Sequence, residues 1–211
     1  MSKGRFITLE GGEGAGKTTL AKALSSALEK QGIKTLITRE PGGTPNAEAL
    51  RNLLVEGETD RWSPLSETLL LYAARVDHVE RLIRPALDQG IWVICDRFSD
   101  STRAYQGAAG GMSTAQISEI DAACMAGFGP DLTFVVDLDP ETGLERTRQR
   151  GEGATRFERK PAAFHHALRV AFLDIARDSP ERCVVLDGAL PADQVASSAL
   201  AVLAERLGAS Q

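Results

Sequence analysis

The sequence predicts an α/β domain with a five-stranded parallel sheet flanked by helices. Three observations carry that reading: short apolar runs that look like buried parallel strands, helical apolar periodicity between them, and a glycine-rich turn joining the first strand to the first helix. Three of the runs, Phe6 to Glu10, Trp92 to Asp96 and Leu132 to Asp137, read directly as strands, and Thr35 to Arg39 and Cys183 to Asp187 fall at the matching intervals. Helical patterns occupy Thr18 to Lys30, Pro45 to Val55, Pro64 to Asp88, Thr114 to Ala126, Glu141 to Gln149, Pro161 to Ala176 and Ala192 to Leu207. Gly32 and Gly90 follow helices where a terminating glycine is expected, and Pro85 should kink or end the long third helix.

Strand and helix alternate from end to end without a repeat or linker, so residues 1–211 read as a single domain. One stretch departs from the rhythm. Arg150 to Lys160 mixes Gly151 and Gly153 with charge, the composition of a mobile surface lid at about 150–160.

Composition narrows the class. A net charge of -5 argues against a general nucleic-acid binder, because phosphate backbones select strongly basic surfaces, but leaves room for a locally positive pocket. Cys95, Cys124 and Cys183 are odd in number, widely spaced and set in apolar stretches, which suggests buried free thiols in a reducing compartment rather than disulfides or a zinc site. The start of the chain runs directly into a strand with no signal-peptide core, and no apolar run nears the roughly 20 residues of a membrane span. A cytoplasmic protein with no membrane or nucleic-acid partner is expected.

After the first strand, Gly11 to Thr18 reads GGEGAGKT, a full match to the phosphate-cradling pattern with a strand before it and a helix after it. Gly11, Gly12, Glu13, Gly14, Ala15, Gly16, Lys17, Thr18 and Thr19 are therefore the expected ATP-binding residues. Backbone N–H groups turn toward the triphosphate, Lys17 supplies a point charge and the Thr18 hydroxyl ligates Mg²⁺. The expected architecture is a P-loop NTPase fold with a lid.

A phosphate cradle alone does not separate a kinase from a GTPase or a switch ATPase. Three further features do. The Trp92 to Asp96 run ends in Asp96-Arg97-Phe98, where Asp96 can hold the metal and Arg97 sets a fixed cation suited to an anionic second substrate. Arginines recur beyond strands or on nearby helices at Arg39, Arg51, Arg75, Arg97 and Arg103; read singly, each is a solvated surface charge, although Arg75 sits in an apolar stretch. Finally, His78, His165 and His166 fall in helical patterns away from strand ends, so no histidine base is evident. A phosphate acceptor needs none, being already anionic with a second pKa of about 6.

These residues resemble the bacterial thymidylate kinase family along nearly the whole chain. The landmarks are Glu10 to Thr19, Thr38 to Thr44 (TREPGGT), Tyr72 to Arg75 (YAAR), Asp96 to Phe98, Ser101 to Gly107 and Pro130 to Thr133. The resemblance implies a homodimeric kinase that transfers the γ-phosphoryl of ATP to dTMP with Mg²⁺, Thr18 and Asp96 serving the metal. It implies that Arg97 and Arg51 grip the acceptor phosphate with Arg39 nearby, and that Arg75 donates to the thymine 4-oxo group. Thr102 and Gln106 fall at base or sugar contacts, Tyr105 at the 2′ position and Glu13 opposite the 3′-hydroxyl. Where many relatives stack a Phe on the base this chain has Leu71, followed by Tyr72, so either could form the platform. None of Gly12, Glu13, Gly14 and Ala15 is basic, so the cation on the transferred phosphoryl, a group worth about 10³ to 10⁵ in rate where arginine supplies it, is assigned to the lid. Arg156 aligns with the lid arginine of the bacterial type and Arg150 is the second candidate. Lys17, Arg97, Asp96 and Arg156 are thus the expected catalytic set. Two alternatives remain at this point: a deoxynucleoside kinase in which Asp96 deprotonates a 5′-hydroxyl, and a P-loop ATPase that works as a switch.

Overall fold

The computed structural model describes residues 3–149 and 155–208. All five strands form with the boundaries expected: β1 (Phe6–Glu10), β2 (Thr35–Arg39), β3 (Trp92–Asp96), β4 (Leu132–Asp137) and β5 (Cys183–Asp187). They pair in the order β2-β3-β1-β4-β5, every pairing parallel. Strands covered by helices on both faces have no solvated side to alternate toward, which is why they appear as near-continuous apolar runs. β1 is central, flanked by β3 and β4, so the chain reverses its direction of travel across the sheet at that strand. The carboxyl end of such a switch point is where open α/β sheets bind ligands. Leu9 and Arg39 both stand in register with Asp96, which brings the ends of β1, β2 and β3 side by side.

Among the described residues there are nine α-helices: α1 (Lys17–Lys30), α2 (Pro45–Val55), α3 (Pro64–His78), α4 (Arg84–Asp88), α5 (Ser99–Thr102), α6 (Thr114–Met125), α7 (Pro140–Gln149), α8 (Ala162–Asp178) and α9 (Ala192–Leu207). α2 and α3 begin alike: Thr44 and Ser63 accept hydrogen bonds from the backbone N–H groups of Ala47 and Ser66, and each is followed by a proline. Those devices satisfy orphan donors and preset the first helical φ. None of the described helices is long and apolar enough to cross a membrane.

Two expectations need correction and one is narrowed. Of the kink or end expected at Pro85, the end does not occur: a π turn, Val79–Ile83, precedes it and the helix resumes as α4. The wider turn accommodates a ring that lacks an N–H and would otherwise crowd the carbonyl four residues earlier. Residues after β3, which lie outside the expected helical patterns, coil into α5 and a second π turn, Arg103–Ala108. Cys124 is exposed on α6, whereas Cys95 and Cys183 are buried as expected.

The sheet's two faces carry separate cores. Ile7 and Leu9 pack with Leu20, Leu24 and Leu28 of α1 and with Ala199 and Leu203 of α9. Phe6 packs on the other face with Tyr72, Val79, Ile83 and Phe98. Because side chains alternate along a strand, Glu10 shares the face of Phe6 and Thr8 and is carried under the turn that follows β3. The phosphate loop lies backbone against backbone on α7: a side chain at Gly14, whose φ is 66°, would collide with Gly143, and one at Gly143 would collide with the Glu13 carbonyl. That contact explains a glycine in the middle of a helix, where it otherwise costs about 1 kcal/mol.

Candidate active site

A cavity of about 830 Å³ opens at the carboxyl edge of the sheet. Its walls come from the phosphate loop, the ends of β2 and β3, α2, α3, the helical segment after β3 and the turn after β5. At its centre α1 begins at Lys17, behind Gly16 with φ 98°, and its first turn holds no acidic residue. The positive end of the helix is therefore left for an anion. The Lys17 ammonium donates to the carbonyls of Gly11 (3.1 Å) and Gly12 (2.7 Å). Burial, then the Arg97 charge, pulls its pKa down to about 8. Thr18 Oγ1 donates to Asp96 Oδ2 at 2.8 Å, and the first turn of the helix meets the end of β3 there.

On one side three guanidiniums converge. Arg97 adopts a left-handed conformation (φ 74°), rare for a residue with a side chain, and its N–H donates to the Leu9 carbonyl. Its guanidinium donates to the Gly11 carbonyl (3.0 Å), Ser101 Oγ (3.2 Å) and Glu13 Oε1 (3.1 Å) and lies 5.0 Å from the Tyr105 ring centre. Glu13 also accepts from the Tyr105 hydroxyl at 2.7 Å. Burial would raise the Glu13 pKa, but Arg97, Lys17 and the Tyr105 hydrogen bond hold it down at about 2. Arg51 reaches the Pro41 carbonyl at 2.9 Å. Burial, followed by repulsion from Arg39 with a further contribution from Arg97, lowers the Arg51 pKa from the ordinary arginine value. Arg39 and Arg97 both disfavour the Arg51 charge, and a cationic cluster of this kind beside a phosphate loop forms a site for an anion.

Beyond them lies Arg75, only 2% exposed. It donates through Nε to Glu40 Oε2 (2.7 Å) and through Nη2 to the Phe98 carbonyl (3.2 Å) and Thr102 Oγ1 (3.0 Å). Among the described residues Arg75 Nη1 has no partner, nor has Gln106 Oε1, whose amide nitrogen donates to Glu67. Leu71 lines the cavity. Tyr72 does not. It is buried behind Arg75, 4.6 Å from that guanidinium, with its hydroxyl on Asp121. Of the two candidates for a base platform, Leu71 is the one the backbone turns inward.

The remaining expected residues divide. Arg39, Thr102, Tyr105 and Gln106 all line the cavity, as does the loop from Glu13 through Thr19. Arg156 faces elsewhere: 1% exposed, it pairs with Glu67 and donates to the carbonyls of Leu54 and Thr59, while its neighbours Thr155, Phe157 and Glu158 line the cavity. The buried Glu67 carboxylate, left without a cation, would be costly, which accounts for the placement. Arg150 lies outside the described residues. Arg103 pairs with Asp100 and lies outside the lining.

Sequence reading missed several participants. His78 is not remote from a strand end: its ring bonds Thr38 Oγ1 at 2.7 Å and Glu40 Oε1 at 3.1 Å, orienting the carboxylate that holds Arg75. Arg146, Gly188, Ala189, Pro191 and Val195 form an apolar wall with a single guanidinium at the far end of the phosphate loop. Glu10 is buried and accepts from Phe98 N, Ser101 N and Ser101 Oγ. A rule that strand carboxyl ends carry function would have flagged both Glu10 and Glu40.

Burial, then the nearby Asp100 carboxylate, raises the Glu10 pKa from 4.5 to about 7 against the pull of Ser101 and Arg97. The folded chain thus holds this proton more tightly than the unfolded chain. The resulting stabilisation is full below about pH 4.5 and is lost as pH rises through about 7. Urea unfolding of the wild type should therefore lose stability across that window relative to Glu10→Gln, and parallel pH profiles would contradict the shift.

Comparison with known proteins agrees with this geometry. The Thymidylate kinase family model matches residues 9–199. A thymidylate kinase from Caulobacter vibrioides is 51% identical over 208 residues, covering 99% of this chain and 100% of the relative. One from Dinoroseobacter shibae is 52% identical over 200 residues, covering 95% and 96%. The crystal structure of thymidylate kinase from Ehrlichia chaffeensis superposes with a TM-score of 0.78 at 34% identity, covering 95% of this chain and 99% of that one. With the phosphate loop, the arginine cluster and the sheet order in place over that length, the chain belongs to the thymidylate kinase family.

Proposed function

We propose that this chain, one catalytic domain, transfers the γ-phosphoryl of ATP to dTMP to give dTDP and ADP, and that the residues above divide the work. The crowding of Arg39, Arg51 and Arg97 in one cavity with a phosphate loop carries the reading. An acceptor phosphate relieves the repulsion on Arg51, and its oxygen is the nucleophile, so no side chain need remove a proton. Lys17 neutralises charge on the β- and γ-phosphates. The wall of Arg146, Gly188 and Pro191 suits the flat base of ATP. Thr18 and Asp96 supply two hard oxygen donors, a set that fits Mg²⁺, which binds few side chains and keeps phosphate and water oxygens. When bound there the ion would offset charge on the triphosphate.

At the base end Arg75 offers one free amino group, Nη1, and Gln106 one free carbonyl oxygen. Thymine presents an acceptor at its 4-oxo group and a donor at N3; cytosine presents the reverse pair. Leu71 gives apolar contact, Thr102 steadies Arg75, and Tyr105 with Glu13 closes the sugar side. The cation on the transferred phosphoryl is assigned to the 150–160 segment, and Arg156 can take that part only by leaving Glu67.

The deoxynucleoside kinase alternative gives the three guanidiniums no phosphate to hold, and the switch ATPase gives the base-end donor and acceptor no ligand. ADP release from ATP and Mg²⁺ should be slow alone and strongly stimulated by dTMP, with dCMP, AMP, GMP and thymidine far weaker. No stimulation by dTMP would overturn the reading, preference for thymidine would favour the first alternative, and full release without acceptor the second.

The protein is assigned to the cytoplasm, which fits the buried free thiols of Cys95 and Cys183. It is also assigned as a homodimer through α3, where Leu65 and Leu69 are about half exposed, an unusual placement for two leucines one turn apart. Leu69→Glu should sediment as a monomer; an unchanged mass in the variant, or a monomeric wild type, would contradict the dimer.

A further inference from the structure

We propose that Glu10 is a positioning residue for Arg97, acting through Ser101 to fix the guanidinium where the acceptor phosphate binds. The inference rests on the reading of Arg97 as a phosphate ligand and adds what holds it there. Glu10 is fully buried at the end of β1, and both its oxygens point into the turn after β3. Oε1 accepts the Phe98 N–H at 2.8 Å and the Ser101 N–H at 3.2 Å; Oε2 accepts the Ser101 hydroxyl at 2.6 Å. The Ser101 oxygen in turn accepts from Arg97 Nη1 at 3.2 Å.

Hydrogen-bond polarity makes this a directional relay. Ser101 has one proton and gives it to Glu10, so its lone pairs face Arg97. All three groups around the carboxylate are donors, so the ionised form fits the cage and a neutral amide does not. With Gln at position 10, an NH₂ group facing Ser101 would leave the Ser101 hydroxyl proton without its acceptor and free it to turn toward Arg97. The cage also binds two residues just after the left-handed Arg97, Phe98 once and Ser101 twice, and Arg97 would not hold φ 74° unaided. Asp100 lies between them and is held by Arg182 at 2.6 and 3.1 Å, a pair that anchors the same turn to the start of β5.

A purely structural carboxylate would be a poor choice for this place. Burying it beside Asp100 disfavours its charge, and a neutral residue would relieve the fold of that cost. Retaining a charge that weakens the fold is expected where the charge orients a functional group.

The test compares Glu10→Gln and Ser101→Ala with Arg97→Ala, assayed at about pH 8, where the carboxylate is ionised. Both relay variants should raise the KM for dTMP about tenfold, the loss of one charge-assisted hydrogen bond, and leave the KM for ATP within about twofold. Glu10→Gln should melt no lower than the wild type. Equal rises in both KM values, no rise in either variant, or a dTMP effect that merely tracks lost stability would overturn the relay while Arg97→Ala keeps its selective effect. If Arg97→Ala itself raises both KM values alike, the acceptor-site reading fails and this inference fails with it.

Discussion

Arg97 is held in a strained backbone conformation between two strand ends, and the arrangement of the cavity follows from keeping it there. Its N–H is tied to β1 and its guanidinium to Gly11, Glu13 and Ser101. The same side chain draws Glu13 toward Tyr105, depresses Lys17 and adds to the repulsion on Arg51. A cation so placed orders its surroundings whether or not substrate is present, and pre-organised charge of that kind needs little rearrangement when a phosphate arrives. The sheet register makes the arrangement possible, because parallel pairing brings Leu9, Arg39 and Asp96 to one edge.

A second charge pattern governs the base end. Arg75 is buried, yet Glu40 neutralises it and Phe98 and Thr102 fix its plane, so only the Nη1 amino group remains for a ligand. His78 fixes Glu40 in turn, and Thr38 at the end of β2 fixes His78. On the proposed base contact, selectivity depends on residues that do not touch the base, because an arginine with free rotation would donate to several patterns of acceptors.

The edge strands β2 and β5, with Ile37 and Val185 exposed, were placed by their intervals, whereas β1, β3 and β4 were legible because each is a largely buried apolar run, a pattern that needs no tertiary context. The helical segment from 99 to 108 was not, since Ser101, Thr102, Tyr105 and Gln106 serve the cavity and leave no apolar period to detect. Residues supplied by a motif, Lys17, Thr18, Asp96 and Arg97, line the cavity, as does Arg75. The carboxylates that hold them were missed, because the pairing of Glu10 with Ser101 or of Glu40 with Arg75 spans the chain. Arg156 illustrates the converse: its position in a charged segment suggested a catalytic face, while the folded chain turns it onto Glu67, far away in sequence.

The account depends on the arginine cluster being an anion site for the acceptor rather than a structural knot. Calorimetric titration of the protein with dTMP and with thymidine, in the absence of ATP, isolates that claim. Loss of a phosphate held by several guanidiniums should weaken binding by at least about 100-fold, the equivalent of two charge-assisted hydrogen bonds. Comparable affinities for the two ligands would contradict it.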